Sequence, residues 1–401
     1  MQISYISREE PGTRADARLC LMAGATDGLI FLSYMFEIDQ SIYYSATIIV
    51  KLILLLLRRK PATEAARCSL PFLYALLLAE LISAVVNEVE PISSVRILVF
   101  SVNLFITLNF VSVSYWRGLV LSTVVNASAY LAFATRGSVG IVYGRYLYFS
   151  ESHPNLGAEI FFGGAFAALL TRAPRLSLFV VPLFFVPAFL MQGRAAELGI
   201  VCAEAILGWQ SLKRVHHLVR VALVVLSLFV VIAVLLNSDL SGLANKVLLL
   251  DDSYRGEGTG ASGRGRFWEN ALEMFIQNPF FGAGSDFVTR LRSIQPHNFF
   301  LYPLAYYGFM GLAVLAIFVQ RFGVVTLYGG AAALYLVPFV PMLAFNDRFV
   351  NLNVYPTVLF LYVFYQYPRS RFNLNAAALH APIKRVTSLI HPSMKQISDK
   401  H

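Results

Sequence analysis

Charge is scarce in this chain of 401 residues: 14% is Asp, Glu, Lys or Arg, against 57% hydrophobic residues. So little polar surface cannot cover one soluble core, which excludes an ordinary globular enzyme and points to a polytopic membrane protein. Acids are scarcer than bases, 23 against 32, and a net charge of +9 would raise nucleic acid as a partner for a soluble protein. Here the bases gather in short segments between apolar runs, where membrane orientation accounts for them, so nucleic acid has no support as a partner. Cysteine is nearly absent: Cys20, Cys68 and Cys202 lie in or beside apolar runs, without paired or metal-ligand spacing, and read as packing residues. No His, Cys, Asp and Glu set has metal-ligand spacing, which argues against a metal or other cofactor; the adjacent Asp251 and Asp252 are weak as a cation site.

What is present is a series of about twelve apolar runs, long enough in most cases for a membrane helix. They cover 19–36, 42–57, 68–88, 94–115, 118–136, 157–171, 177–191, 198–212, 218–237, 298–320, 324–344 and 352–366. The polar start is too long for a cleaved signal sequence, so the first run is expected to stay as a helix. The expected fold class is therefore all-α, a polytopic bundle. Placing the N-terminus inside puts "RRKPATEAAR", Arg117, "TRAPR", "KRVHHLVR", Arg321 and the basic tail on the cytoplasmic side. Both termini are then cytoplasmic. The expected organisation is 1–237 as N-terminal membrane helices, 238–297 as a periplasmic loop, 298–366 as C-terminal membrane helices and 367–401 as a basic, partly disordered tail.

The large outer loop holds the longest polar stretch. "GEGTGASGRG" is too glycine-rich for a helix, whereas "RFWENALEMFIQN" puts Phe267, Ala271, Leu272, Phe275 and Ile276 on one helical face. A short amphipathic helix, starting near Ser262 or Gly263 and ended by "NPFFGAGSDF", is expected at the outer membrane interface.

Arg264 and Arg266 stand at that helix start, where free backbone N–H groups and guanidinium forks can both face an oxyanion; a diphosphate fits more than one arginine better than a carboxylate does. Binding to lipid headgroups is the alternative. Arg194 interrupts two apolar runs on the same expected side, with Glu197 placed to pair with it, and Arg145 is a weaker candidate of the same kind. Either could equally be an ordinary loop arginine. His297 opens the run "NFFLYPLAYYGFMG"; an imidazole there can take a proton from a hydroxyl near neutral pH, or can simply cap the helix. Asp27, Lys51, Glu80 and Glu204 fall within apolar runs and would suit a proton or ion path, which keeps a transporter in view as a different class of function. Tyr254, Phe267, Trp268 and Phe287 are candidates to stack on sugars or to anchor at the interface.

Together, "SGRGRFWENALEMFIQNPFFGAGSDF" and "HNFFLYPLAYYGFMG" resemble the signature of the O-antigen ligase and O-antigen polymerase superfamily of membrane glycosyltransferases. "QGRAAE" stands where that family has an external arginine motif, and "HPNLG" is like its Asn-bearing loop. The resemblance implies that Arg264 and Arg194 bind the diphosphate of an undecaprenyl-linked glycan, that Arg266 and Arg145 support them, and that His297 handles the acceptor hydroxyl. It further implies an inner-membrane enzyme, working without a metal at the periplasmic face, with a glycan or lipid A-core as acceptor, membrane lipids around it and a chain-length regulator as a possible partner. Gly193 departs from the family, which often has Ser before the arginine. Since the compact loop shows no second platform for a core oligosaccharide, the reading leans to a repeat-unit polymerase of O-antigen or exopolysaccharide, with an O-antigen ligase as the alternative.

Overall fold

The computed structural model describes residues 13–142, 145–149, 154–212, 264–290, 296, 298–345, 349 and 357–375. Over these the backbone is helical apart from turns and one small hairpin, so the all-α expectation holds. The first half comprises α1 (Arg14–Gly28), α2 (Phe31–Met35), α3 (Gln40–Arg58), α4 (Glu64–Asn87), α5 (Pro91–Leu108) and α6 (Val113–Thr135). Strands β1 (Ile141–Val142) and β2 (Arg145–Tyr146) pair antiparallel, and α7 (Pro154–Leu170), α8 (Pro174–Leu190) and α9 (Arg194–Leu212) follow. Further on come α10 (Arg264–Gln277), α11 (Phe287–Arg290), α12 (Leu301–Tyr328), a 3-10 segment (Gly330–Phe339), α13 (Val340–Phe345) and α14 over 357–375. Among the described residues, α4, α5, α6 and α12 are long and apolar enough to cross a bilayer by length and composition. The apolar run 218–237 and most of the large loop lie outside the described residues.

Two expected boundaries move, for one reason. Arg117 and Arg321 do not separate helices; each lies inside one, α6 and α12. Arginine is a good helix former and its long side chain can reach a partner from within a helix: Arg117 donates from Nε to Thr171 O at 3.4 Å, and Arg321 donates to the Tyr367 hydroxyl at 2.9 Å and lies over its ring. The real breaks fall at capping residues and glycine. Ser112 caps α6 by accepting from Tyr115 N, while Asn109 accepts from Thr63 N. Gly330, at φ +57°, turns the end of α12 into the 3-10 segment, so the run 324–344 is not one separate helix.

Small residues bring α1 and α6 together. A Cβ added to Gly24 would lie 1.9 Å from Tyr115 O, and one added to Gly118 would lie 2.0 Å from Leu21 O, so the backbones touch and no larger residue fits. That approach encloses a polar knot. Lys51, with no exposed surface, donates to Asp27, to Asn103 Oδ1 at 2.7 Å and to Thr107 Oγ1 at 2.8 Å; Tyr115 donates to Asp27 Oδ2 at 2.7 Å. The three ammonium protons have three acceptors, which is how a charge survives in an apolar bundle.

Between the apolar runs that become α6 and α7, residues 145–149 are folded inward. Tyr148 is buried with its hydroxyl on Asn126 Oδ1 at 2.9 Å, and Tyr148 and Phe149 stack among Tyr34, Tyr130 and Phe161. This aromatic plug seats β2 beside the end of α8.

Candidate active site

Arg194 is the first residue of α9, directly after a tight turn at Met191–Gly193. Gln192 adopts φ +52° there. Gly193 meets α7: a Cβ on it would lie 2.3 Å from the Ala158 methyl. The departure from the family's serine therefore has a packing cause in this chain, since α7 fills the space that a side chain would need.

Arg145 holds the same turn. From β2 its Nε donates to Met191 O at 2.8 Å and its Nη2 to Gln192 O at 3.2 Å and Asn155 Oδ1 at 2.6 Å. Only 5% of its surface is exposed. The planar fork thus joins the two carbonyls that precede Arg194 to the start of α7, a geometry that a lysine cannot reproduce. Arg194 itself is half-buried. Glu197, one turn into α9, is buried, and its Oε1 has no hydrogen-bond partner among the described residues.

Arg264 is the first described residue of α10, as Arg194 is the first residue of α9. The first amides of a helix lack intrahelical acceptors, and with the positive dipole end they suit an anion; a diphosphate presents several acceptor oxygens. Arg266 is exposed on the polar side, with Glu269 and Glu273. The apolar face divides: Ala271 is buried and Phe275 packs on Phe309 of α12, whereas Leu272 and Ile276 are exposed. The Trp268 indole N–H is buried without a hydrogen-bond partner among the described residues. Phe287, considered above for sugar stacking, is fully buried against Tyr306 and belongs to the core.

After α10, the turn "NPFFGAGSDF" clamps a break in α12. Gly308 adopts φ +61°, which frees backbone groups that a continuous helix would pair. Phe309 N donates to Pro279 O at 2.7 Å, while Ala283 N and Gly284 N donate to Ala305 O and Tyr306 O at 2.9 and 3.2 Å. A Cβ on Gly282 would lie 2.3 Å from Tyr306 O, so only glycine lets the two backbones approach. The signature turn is a backbone clamp, and it ties α10 to the helix that His297 precedes. His297 lies outside the described residues. Asn298, next to it, accepts from Phe300 N at 2.9 Å and Leu301 N at 3.1 Å and so fills the capping role at the start of α12.

Four features escaped a reading of the sequence alone. Asn155 and the carbonyls under Arg145 pair only in three dimensions, as do Glu80 and Ser285, described below. The polar partners of Lys51 are likewise far apart in the chain. The close α1–α6 crossing did have a signal, the small residues Gly24 and Gly28 four apart.

No curated protein matches the chain. Residues 178–316 match the family described as O-antigen ligase, a segment that holds Arg194, Arg264, Arg266 and position 297. That segment is similar to the O-antigen ligase family, and the apolar helices around it give the chain the makings of a multi-pass membrane protein.

Proposed function

We propose that this protein transfers a glycan from undecaprenyl diphosphate to a sugar hydroxyl at the periplasmic face of the inner membrane, as a polymerase that joins lipid-linked repeat units. The observation that carries the reading is that Arg194, at the first position of α9, and Arg264, in α10, both lie within the matched segment. Attack of the acceptor oxygen on the anomeric carbon breaks the bond to the diphosphate oxygen, and the leaving lipid diphosphate takes the electron pair. Arg194, with the helix start behind it, and Arg264 stabilise the charge that grows on that oxygen, with Arg266 as a supporting charge. His297 removes or orients the acceptor proton. The buried N–H of Trp268, on the same helix as Arg264, is a donor for a substrate oxygen. The bilayer accommodates the lipid tail, and α10 borders it through Leu272 and Ile276.

A transporter would need its intramembrane charges available to a substrate, yet Lys51 and Asp27 are spent on one another and on their polar neighbours.

The test is a deletion strain rescued with His297→Ala at normal protein level. Loss of the surface polymer is expected, and a normal glycan would overturn the transferase reading. The glycan of the deletion strain itself separates the two transferases. A single repeat on lipid A-core marks a lost polymerase; bare core with accumulated lipid-linked polymer marks a lost ligase.

A further inference from the structure

The clamp on α12 is fastened from outside the matched segment. Glu80, in α4, is 4% exposed and forms no ion pair among the described residues; instead its Oε1 accepts from Ser94 at 2.6 Å and from Ser285 at 2.8 Å. Ser285 follows the signature glycines directly. Neighbouring residues hold the same junction: from α4, Asn87 donates to Gly282 O of the turn at 3.2 Å and Ser83 to Tyr306 O of α12 at 3.1 Å, while Glu90 N, at the start of α5, donates to Asp286 Oδ2 at 3.1 Å. Tyr307, on the broken turn of α12, lies against the Glu80 carboxylate. A carboxylate is a costly choice for a buried position in an apolar bundle, and a serine or asparagine would supply a weaker acceptor.

We propose that Glu80 is a positioning residue for the transfer reaction. It latches the turn 279–286 onto the break at Gly308, and through that turn sets α10, which carries Arg264, relative to the beginning of α12. This rests on the transferase reading for its consequence in activity, but the latch has a readout of its own.

Four full-length variants in membranes test it: Glu80→Gln, Glu80→Ala, Ser285→Ala and Ser94→Ala. Initial rates are measured with lipid-linked glycan extracted from the deletion strain, and backbone hydrogen exchange is followed at Ala283, Gly284 and Phe309. Glu80→Ala and Ser285→Ala are expected to lower kcat about tenfold with little change in KM, since a small misplacement of catalytic groups penalises turnover. The same two variants should lose exchange protection at the three amides. Glu80→Gln should recover part of both. Ser94→Ala, which removes a Glu80 contact on α5 but none on the turn, should change neither. Equal losses from Ser94→Ala and Ser285→Ala would reduce Glu80 to a buried group that merely needs neighbours, and unchanged protection in Ser285→Ala would remove the latch. A wild-type protein inactive on the extracted glycan would overturn the transferase reading, whereas the exchange result decides the latch by itself. Should Glu80→Ala fail to accumulate, Ser285→Ala carries the test alone.

Discussion

Two buried charged centres in this bundle are built on opposite plans. Around Lys51 every donor has an acceptor, the opposing carboxylate is satisfied by Tyr115 as well, and no surface is exposed. Around Arg145 and Arg194 the inner arginine is held by carbonyls and Asn155, while the outer one is half-buried at a helix start, near Glu197, whose Oε1 has no hydrogen-bond partner among the described residues. Intramembrane charge alone therefore does not mark a site. Closure marks a fold determinant, and an incompletely closed cluster on a rigid support marks a candidate for chemistry.

The strongest way to break this contrast is at Lys51. Replacing it by Met leaves Asp27 buried without its cation, which should cost about 3–5 kcal/mol of stability. Thermal unfolding in detergent would show it, and adding Asp27→Asn should recover much of the loss. A Lys51→Met protein as stable as wild type but inactive would instead place Lys51 in a functional path.

The next effect concerns the arginines. Arg194→Ala should lower the melting temperature less than Arg145→Ala does and lower turnover by about 10²–10³-fold, the usual penalty for removing one stabilising donor at a developing anion. Arg145→Ala should act through the turn it holds, with a clear fall in melting temperature and a loss of turnover of about tenfold. Arg145→Lys should restore little of either, because an ammonium cannot span the same three acceptors. If Arg145→Ala matched Arg194→Ala in turnover without loss of stability, Arg145 would belong with the substrate rather than with the turn.

The smallest effect lies at the other charged junction. Asp16, three residues before the first apolar run, is pushed up by partial burial but held below the ordinary carboxylate range by hydrogen bonds from Arg58 and Lys60. A depressed folded-state pKa contributes stability that is present above the unfolded value and is lost as pH falls through the folded one. Melting temperature should therefore decline on acidification below the ordinary carboxylate range, and Asp16→Asn should flatten that decline. An unchanged profile in the variant would show that other carboxylates govern it.

Much of the architecture was legible because hydropathy is a property of consecutive residues. The apolar runs predicted helical backbone over the described residues, and "RFWENALEMFIQN" predicted α10 nearly to its ends. Boundaries at Arg117 and Arg321 went astray because a charge reports where a side chain ends, not where the backbone stops pairing. The signature turn was legible as a motif but not as a clamp, since its partners, Ala305, Tyr306 and Phe309, are 22 to 30 residues away and are engaged through their backbones.

By itself, then, the sequence determined that the chain is apolar, helical and made for a membrane, and which arginines deserve attention. Local composition dictates local hydrogen bonding and solvent, and neither requires knowledge of the neighbours. Only the tertiary structure decided that Arg145 serves the turn before Arg194, that Gly193 makes room for α7, and that Glu80 reaches across to Ser285. Those roles depend on which donors meet which acceptors once distant helices have packed, and no run of consecutive residues encodes that meeting.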